Sequence, residues 1–403
     1  MTSHSIRPLI GSKSTPVSTQ SKLDRSSLSH TGRNKSSDNV HPQPLSLPDP
    51  PGMPRLNVLR ESRLHQTFQY EAPLGGQLKS HKVGYAEYGP SQGHPVFVIG
   101  GYGCTRLVGI MFEEISYRYG LRTIWPERPG YGLSDECNSQ QMTALEWADV
   151  VIQLSSHIGI SQFGIIAQSV GTVFALAVAH RFKARIVAPI YLISPWVSAH
   201  AANTFKWTRR LPTALVAKTI SLALDVMWIF SSKSSKSEEE NKEEPAKASV
   251  NRPQRHTMVA FEEDVLLASL DDEPLDLPTD FPTHRPLRHF VRPQHMSLYL
   301  AMNQKRMSEP YNQGQLCDIM VALEKHHLFG FNYSDVKVSV SAVWGDQDSL
   351  IPLKAIETLA NSLRDVRLKI LESEGHDLVW KEGVMEWAMR GIAERWKHKE
   401  ESL

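Results

Sequence analysis

From about residue 61 onward, the chain alternates short apolar runs with segments whose apolar residues recur at helical spacing. Such alternation is typical of a parallel sheet that helices cover on both faces. The runs that predict inner strands are 95–99, 121–125, 163–167, 189–193, 336–344 and 366–371. Two earlier runs, 64–70 and 82–88, flank the turn residues Leu74-Gly75-Gly76 and predict a hairpin that opens the folded part.

One helix start is well marked in the sequence. Thr143 and Glu146 have the spacing of a capping box, in which each side chain bonds a backbone N–H near the helix start. An apolar face at helical period follows, made of Trp147, Val150, Val151 and Leu154. The pattern therefore predicts a helix beginning near residue 143.

Between residues 200 and 330 the alternation stops, and helical patterns without a clear strand take its place. We interpret this segment as an inserted helical cap that divides the core into 61–199 and 331–403. Within it, the polar, low-complexity stretch 231–255 predicts a disordered charged loop. The apolar stretch 212–230 contains two charged residues and barely reaches the length that spans a bilayer. We expect no transmembrane segment and interpret 212–230 as a cap helix, with peripheral membrane contact as the alternative.

The N-terminal arm, residues 1–60, is rich in Ser, Thr, Pro, Asn and Gln. Such a composition cannot bury enough surface to offset the entropy of ordering, so we expect disorder. The first part of the arm is Ser-rich and basic like a mitochondrial presequence, but it lacks an amphipathic stripe, and no apolar signal-peptide region follows Met1. We expect a cytoplasmic protein, with mitochondrial import as the alternative.

Composition narrows the functional classes. Lys and Arg total 44 against 43 Asp and Glu, so no excess charge exists for binding nucleic acid. The three cysteines, Cys104, Cys137 and Cys317, stand far apart without metal-ligand spacing. This argues for a reducing compartment and against a disulfide framework or a metal site. The oligomeric state cannot be predicted.

The strongest local signal for chemistry is the segment 164–171, Gly-Ile-Ile-Ala-Gln-Ser-Val-Gly. An apolar strand runs into a small-x-Ser-x-Gly turn and then into a helical run, which exposes the serine hydroxyl at the carboxyl edge of the sheet. Ser169 could instead cap the helix, but a simple cap does not require small residues on both sides. The turn resembles the nucleophile elbow of the α/β-hydrolase superfamily, with Ala167 in place of the usual first glycine.

The resemblance extends from about residue 64 to residue 396 and includes four further segments in the family's order. They are 99–103 (IGGYG), 127–135 (ERPGYGLSD), 344–352 (WGDQDSLIP) and 374–377 (EGHD). These look like the strand-end loop, the Pro-Gly-x-Gly-x-Ser turn, the acid loop and the histidine loop, with Gly100 where the family usually has histidine. The resemblance implies an α/β-hydrolase fold, a mostly parallel doubly wound sheet with an inserted helical cap.

The resemblance also implies the site residues. Ser169 is the expected nucleophile, His376 its general base and Asp348 the acid that orients the imidazole. Asp346 is the rival acid. Backbone N–H groups are expected to form an oxyanion hole, and other residues to line the substrate site. The oxyanion donors are Tyr102 and Val170, and the substrate-binding candidates are Gly101, Gln168, Trp207 and Trp228.

A serine at the elbow favours acyl chemistry, because relatives that open epoxides or displace halide carry an aspartate there. We expect a cofactor-independent serine hydrolase that cleaves an ester, thioester, lactone or related acyl bond of a small apolar substrate. An acyltransferase with the same residues is one alternative. The other is a non-catalytic ligand receptor or scaffold, which the departures at Gly100 and Ala167 favour.

Overall fold

A computed structural model describes residues 56–205, 212, 287–291 and 293–402. The strands in these ranges form one eight-stranded sheet in the order β1-β2-β4-β3-β5-β6-β7-β8. Their bounds are β1 Gln66–Tyr70, β2 His81–Tyr88, β3 His94–Ile99, β4 Leu121–Pro126, β5 Gly164–Gln168, β6 Ile190–Ile193, β7 Val340–Gly345 and β8 Val366–Leu371. Strand β2 pairs antiparallel with β1 and β4, and the remaining neighbours are parallel. The predicted mostly parallel sheet is confirmed.

Helices follow most of the parallel strands. The α-helices in the described ranges are α1 Glu113–Arg118, α2 Ala144–His157, α3 Gly171–Arg181, α4 Met296–Met307, α5 Asn312–Ala322, α6 Leu353–Ser362 and α7 Val384–Glu401. The inner strands are buried on both faces, since alternate residues of one strand join different apolar clusters. In β3, Phe97 and Ile99 pack in the cluster that contains α2 and α3, whereas Val96 and Val98 pack in the cluster that contains α7. The sheet is therefore doubly wound.

The predicted hairpin is present, because β1 and β2 pair in register from Gln66–Tyr85 to Tyr70–His81. Most predicted inner strands agree with the observed ones within a residue, but the predicted strand 336–344 begins too early. Strand β7 begins at Val340, where β8 and β6 first supply ladder partners. Just before the predicted run, residues Tyr333–Asp335 form a 3-10 helix. The apolar run extends further because Val336 and Val338 are buried without belonging to the sheet.

Helix α2 begins where the capping pattern predicts, but half of the expected capping box is absent. The Thr143 side chain accepts from the Glu146 N–H and caps the helix. The Glu146 carboxylate accepts from the backbone N–H groups of Gln77 and Leu78, both at 2.7 Å. Glu146 thus ties the β1–β2 connection to the start of α2.

The predicted disordered arm, residues 1–60, is too long, because residues Leu56–Arg60 form a 3-10 helix in which Val58 and Leu59 are buried. Residues 1–55 lie outside the described residues, as do the charged loop 231–255 and the apolar stretch 213–230. The described part of 200–330 contains α4 and α5. Helix α5 is buried along most of its length and joins the apolar cluster that holds α2 and α3.

Candidate active site

Ser169 lies in the tight turn between β5 and α3, in the left-handed backbone region with φ of +50°. Backbone hydrogen bonds within the turn and to the end of β6 hold it, because the Ser169 N–H donates to Ile193 O and the Ser169 carbonyl accepts from the N–H groups of Thr172 and Trp196. A Cβ at Gly171 would lie 2.1 Å from Ile99 O, so the helix approaches β3 closely only with glycine there. A non-glycine residue at positive φ is strained, and such strain is concentrated at functional sites.

The Ser169 side chain does not cap α3, since the helix has no side-chain cap. Its Oγ lies 2.8 Å from His376 Nε2, and His376 Nδ1 lies 2.8 Å from Asp348 Oδ2. The fold thus brings His376 into contact with Ser169, 207 positions before it, and with Asp348, 28 positions before it. An ionised carboxylate can only accept, so Nδ1 donates to Asp348, and in a neutral imidazole Nε2 then accepts from the serine hydroxyl.

Asp348 is held firmly, while its rival Asp346 faces another direction. The Asp348 carboxylate is buried, and its Oδ1 accepts from the N–H groups of Leu350 and Ile351 at 2.8 and 2.9 Å. Asp346 is exposed, and its Oδ1 accepts from the Ser373 N–H. Asp348 is therefore the aspartate that contacts His376, and Asp346 ties the acid loop to the loop after β8.

The loop after β3 lies directly against the elbow. The Gly101 N–H donates to Gln168 Oε1 at 3.0 Å, and a Cβ at Gly101 would lie 3.0 Å from Ser169 Cβ. Gln168, a substrate-binding candidate, thus joins the elbow to this loop. Val170 precedes the first turn of α3, where N–H groups lack intrahelical acceptors. Tyr102 is half-buried one residue beyond Gly101.

Gly100, which stands where the family usually has histidine, is explained by Cys104. A Cβ at residue 100 would lie 2.3 Å from Cys104 Sγ and 2.6 Å from Cys104 Cβ. The cysteine side chain therefore occupies the space that a side chain at residue 100 would need. Burial raises the pKa of the Cys104 thiol to about 11, so it stays protonated at neutral pH.

Arg128 holds the carbonyls of the same loop from its other side. Its Nη1 donates to Gly100 O and its Nη2 to Gly101 O, both at 2.8 Å. The guanidinium is buried and pairs with Asp318 of α5 through two hydrogen bonds of 2.6 and 2.7 Å. Burial disfavours the cation, but the Asp318 carboxylate overcomes this and raises the pKa of Arg128 above its usual value. The rings of Tyr131 and Phe174 lie against it, 5.5 and 5.1 Å from the guanidinium carbon.

Two further side chains hold Gly103 at the end of the loop. The Gly103 N–H donates to the Tyr131 hydroxyl, which in turn donates to Asp318 Oδ2 at 2.7 Å. Arg306 of α4 donates to Gly103 O at 2.8 Å. Burial, with the Asp318 carboxylate adding to it, raises the pKa of Tyr131 well above its usual value and keeps its hydroxyl protonated. The segment after residue 287 thus supplies two charged groups to this loop.

A second buried arginine nearby makes a different set of contacts. Arg106 donates to Glu127 at 2.9 Å and to both carboxylate oxygens of Glu309, and its Nε donates to Leu64 O. These contacts join the C-terminal side of α4, the end of β4 and the N-terminal segment, and none of them involves the carbonyls of Gly100 and Gly101. Arg106 therefore offers a comparison for Arg128, with similar burial and charge.

Sequence reasoning missed Arg128, Tyr131, Asp318 and Arg306. Arg128 and Tyr131 stand inside the segment 127–135, whose Pro-Gly-x-Gly-x-Ser pattern indicates a turn and not a buried ion pair. Asp318 carries a detectable signal, because an aspartate within the apolar run LCDIMVA of α5 predicts a buried charge that needs a partner. Trp207 and Trp228 lie outside the described residues.

The described ranges contain neither a candidate metal site nor a membrane-spanning helix. No group of three or more His, Cys, Asp or Glu residues there is arranged to hold a metal ion. No helix in those ranges is long and apolar enough to cross a bilayer.

Comparison with known proteins points to one family. A family model described as alpha/beta hydrolase fold matches residues 96–383. A solved carboxylesterase of the thaumarchaeon Nitrososphaera gargenis is similar to this chain with a TM-score of 0.50 and 14% identity, covering 82% of this chain and 100% of its own. A thermophilic esterase from Thermogutta terrifontis, solved with malate bound, has a TM-score of 0.50 and 16% identity, covering 83% and 98%. A search of curated proteins finds no significant match. At these identities the likeness shows the fold.

Proposed function

We propose that this chain, which belongs to the alpha/beta hydrolase fold family, is a serine hydrolase that cleaves an acyl bond through a covalent acyl-enzyme. The observation that carries the proposal is the hydrogen-bonded series from Ser169 Oγ to His376 Nε2 and from His376 Nδ1 to Asp348 Oδ2. This series has the chain order Ser, Asp, His that nucleophile-elbow hydrolases use. Both solved proteins named above are described as esterases, the class proposed for this chain.

In the first half-reaction, Ser169 Oγ attacks the substrate carbonyl while its proton passes to His376 Nε2. The imidazolium that forms is stabilised by the buried Asp348 carboxylate at 2.8 Å. His376 then gives the proton to the leaving alcohol, thiol or enolate, which leaves an acyl ester on Ser169. In the second half-reaction, water loses a proton to His376 and attacks this ester. The bond to Ser169 Oγ then breaks, His376 returns the proton to that oxygen, and the acid is released.

The developing negative charge on the carbonyl oxygen needs hydrogen-bond donors. We assign this role to the backbone N–H groups of Tyr102 and Val170, which flank Ser169 from the loop after β3 and from the start of α3. Each such donor contributes roughly 10²–10³ in rate in a comparable site. Because the donors belong to the backbone, loop geometry matters more here than the identity of these side chains.

The substrate class is carried by the sequence. The serine nucleophile favours acyl compounds, and the apolar stretch 212–230, with Trp207 and Trp228, predicts a small or medium apolar acyl group. Hydrolysis of p-nitrophenyl esters of increasing chain length, of thioesters and of lactones tests this class. Product analysis with added alcohol or thiol acceptors separates transfer from hydrolysis, since a hydrolase gives the same yield of acid with and without them.

The deciding experiment is labelling of the intact protein with a fluorophosphonate, read by mass spectrometry. We expect one adduct on Ser169 that is lost in Ser169→Ala and His376→Ala. Ser194→Ala is the matched control, because Ser194 is a buried serine at the end of neighbouring strand β6 with a positive φ of 44°. A folded wild-type protein that forms no adduct contradicts the proposal and favours a non-catalytic receptor.

A further inference from the structure

We propose that Arg128 is a positioning residue for the oxyanion hole, held in place by Asp318 of the inserted segment. This inference rests on the proposed function. It concerns a residue that does not touch the reacting atoms, since Arg128 reaches the site through the carbonyls of Gly100 and Gly101.

The peptide between Gly100 and Gly101 shows how the loop is oriented. In a trans peptide, the C=O and the following N–H point to opposite sides of one rigid plane. Gly100 O accepts from Arg128, and the Gly101 N–H donates to Gln168 Oε1, which belongs to the residue before Ser169. The side of this peptide opposite to Arg128 is therefore the side of the elbow.

The same reasoning applies to the next peptide, which carries the assigned oxyanion donor. Gly101 O accepts from Arg128 Nη2 at 2.8 Å, and the peptide is trans. Its N–H, that of Tyr102, must point away from the guanidinium. Since one guanidinium holds both carbonyls, the direction of the Tyr102 N–H is set by Arg128.

Asp318 makes this arrangement rigid. Its carboxylate accepts hydrogen bonds from Nε and Nη2 of Arg128. It also accepts from the Tyr131 hydroxyl and so orients this group, which accepts a hydrogen bond from the Gly103 N–H. The planar fork of arginine suits this task, whereas the ammonium of lysine cannot reach two carbonyls and a carboxylate in one plane. Helix α5 therefore fixes the geometry of a loop in the core.

The test compares Arg128→Met with Arg106→Met, a matched loss of a buried arginine that pairs with carboxylates. Both are assayed with p-nitrophenyl butyrate, and rates are divided by the active sites titrated with fluorophosphonate. The second readout is affinity for an alkyl trifluoromethyl ketone. Ser169 Oγ adds to this carbonyl carbon, the carbonyl electron pair moves to oxygen, and the serine proton passes to His376.

For Arg128→Met we expect kcat to fall roughly 10²-fold, the effect of a misplaced or lost donor, with KM nearly unchanged. Affinity for the ketone falls by a similar factor, because its oxyanion uses the same donor. Arg106→Met lowers thermal stability but keeps kcat per titrated site. Arg128→Lys restores the charge without the fork and gives an intermediate kcat.

The inference is overturned if Arg128→Met keeps the wild-type kcat, or if Arg128→Met and Arg106→Met lose kcat equally. If the arginine variants do not fold, Asp318→Asn decides, because it keeps the side-chain shape and removes the charge that holds the Arg128 guanidinium. It should lower kcat and ketone affinity together, and wild-type values for both overturn the inference. Wild-type protein that neither turns over ester nor labels at Ser169 refutes the proposed function itself.

Discussion

The substitution Asp348→Asn separates the two candidate acids and tests the proton arrangement of the site. The asparagine carbonyl can keep the two hydrogen bonds that Asp348 Oδ1 accepts from Leu350 and Ile351. Its amide nitrogen then takes the place of Oδ2, 2.8 Å from His376 Nδ1. The opposite amide orientation is disfavoured, because it would place NH₂ against two backbone N–H donors.

An amide N–H at that place must donate, so His376 Nδ1 becomes an acceptor and the ring proton moves to Nε2. Nε2 then donates to Ser169 Oγ and can no longer remove its proton. Loss of the correct tautomer in a serine triad costs about 10⁴ in kcat. This factor corresponds to roughly 5 kcal/mol in the barrier. The free energy of unfolding changes little, because the substitution preserves shape and both backbone hydrogen bonds.

The assay is steady-state hydrolysis of p-nitrophenyl butyrate beside urea unfolding of the same preparations. Asp346→Asn is the matched control, because Asp346 is exposed and its asparagine keeps an acceptor for the Ser373 N–H. Its kcat should stay within about twofold of wild type. The reasoning is refuted if Asp348→Asn retains kcat within about tenfold of wild type, or if Asp346→Asn loses more.

Three other substitutions or reactions test the surroundings of the site. Gly171→Ala places a Cβ 2.1 Å from Ile99 O and should lower the free energy of unfolding by about 1–3 kcal/mol. Urea titration measures this change, and an unchanged midpoint of the unfolding curve would contradict the close approach. Thr143→Ala removes the hydroxyl that caps α2 and should cost about 1 kcal/mol, with circular dichroism of the melt as the measurement. At pH 8, iodoacetamide followed by peptide mass spectrometry should modify Cys137 before Cys104. The Cys104 thiol has a pKa of about 11, so it reacts faster as the pH rises toward that value. The pKa of Cys137 is lowered by a hydrogen bond with the thiol of Cys317.

Local patterns along the chain predicted the parts of the fold that local physics decides. Buried parallel strands are continuous apolar runs, so β3, β4, β5 and β6 could be placed within a residue. The start of β7 could not be placed, because it depends on where β6 and β8 offer ladder partners. The role of Glu146 was missed for a similar reason, since its acceptor sites meet N–H groups 68 and 69 residues away.

In the candidate site, too, local sequence patterns predicted some residues and missed those that depend on distant partners. Ser169, Asp348 and His376 stand in segments with recognisable residues around them, and the fold brings these three side chains into hydrogen-bond contact. Their catalytic roles stay a proposal. Arg128 and Asp318 are 190 residues apart, and the sequence around either residue does not indicate the other as its partner. The Cys104 side chain fills the space beside Gly100, and this packing likewise depends on a loop geometry that residue spacing in the sequence does not specify.

The ion pair between Arg128 and Asp318 sets a rule for building chimaeras of this protein. A graft that replaces the whole of 200–330 with the corresponding segment of another protein of the alpha/beta hydrolase fold removes Asp318 and leaves a buried cation without its counterion. Breaking a buried pair in this way costs about 3–5 kcal/mol, a large share of the stability of an ordinary domain. A graft whose second junction precedes Pro293 retains α4 and α5 and therefore keeps the pair. An exchangeable segment that ends before α4 therefore leaves this buried pair intact.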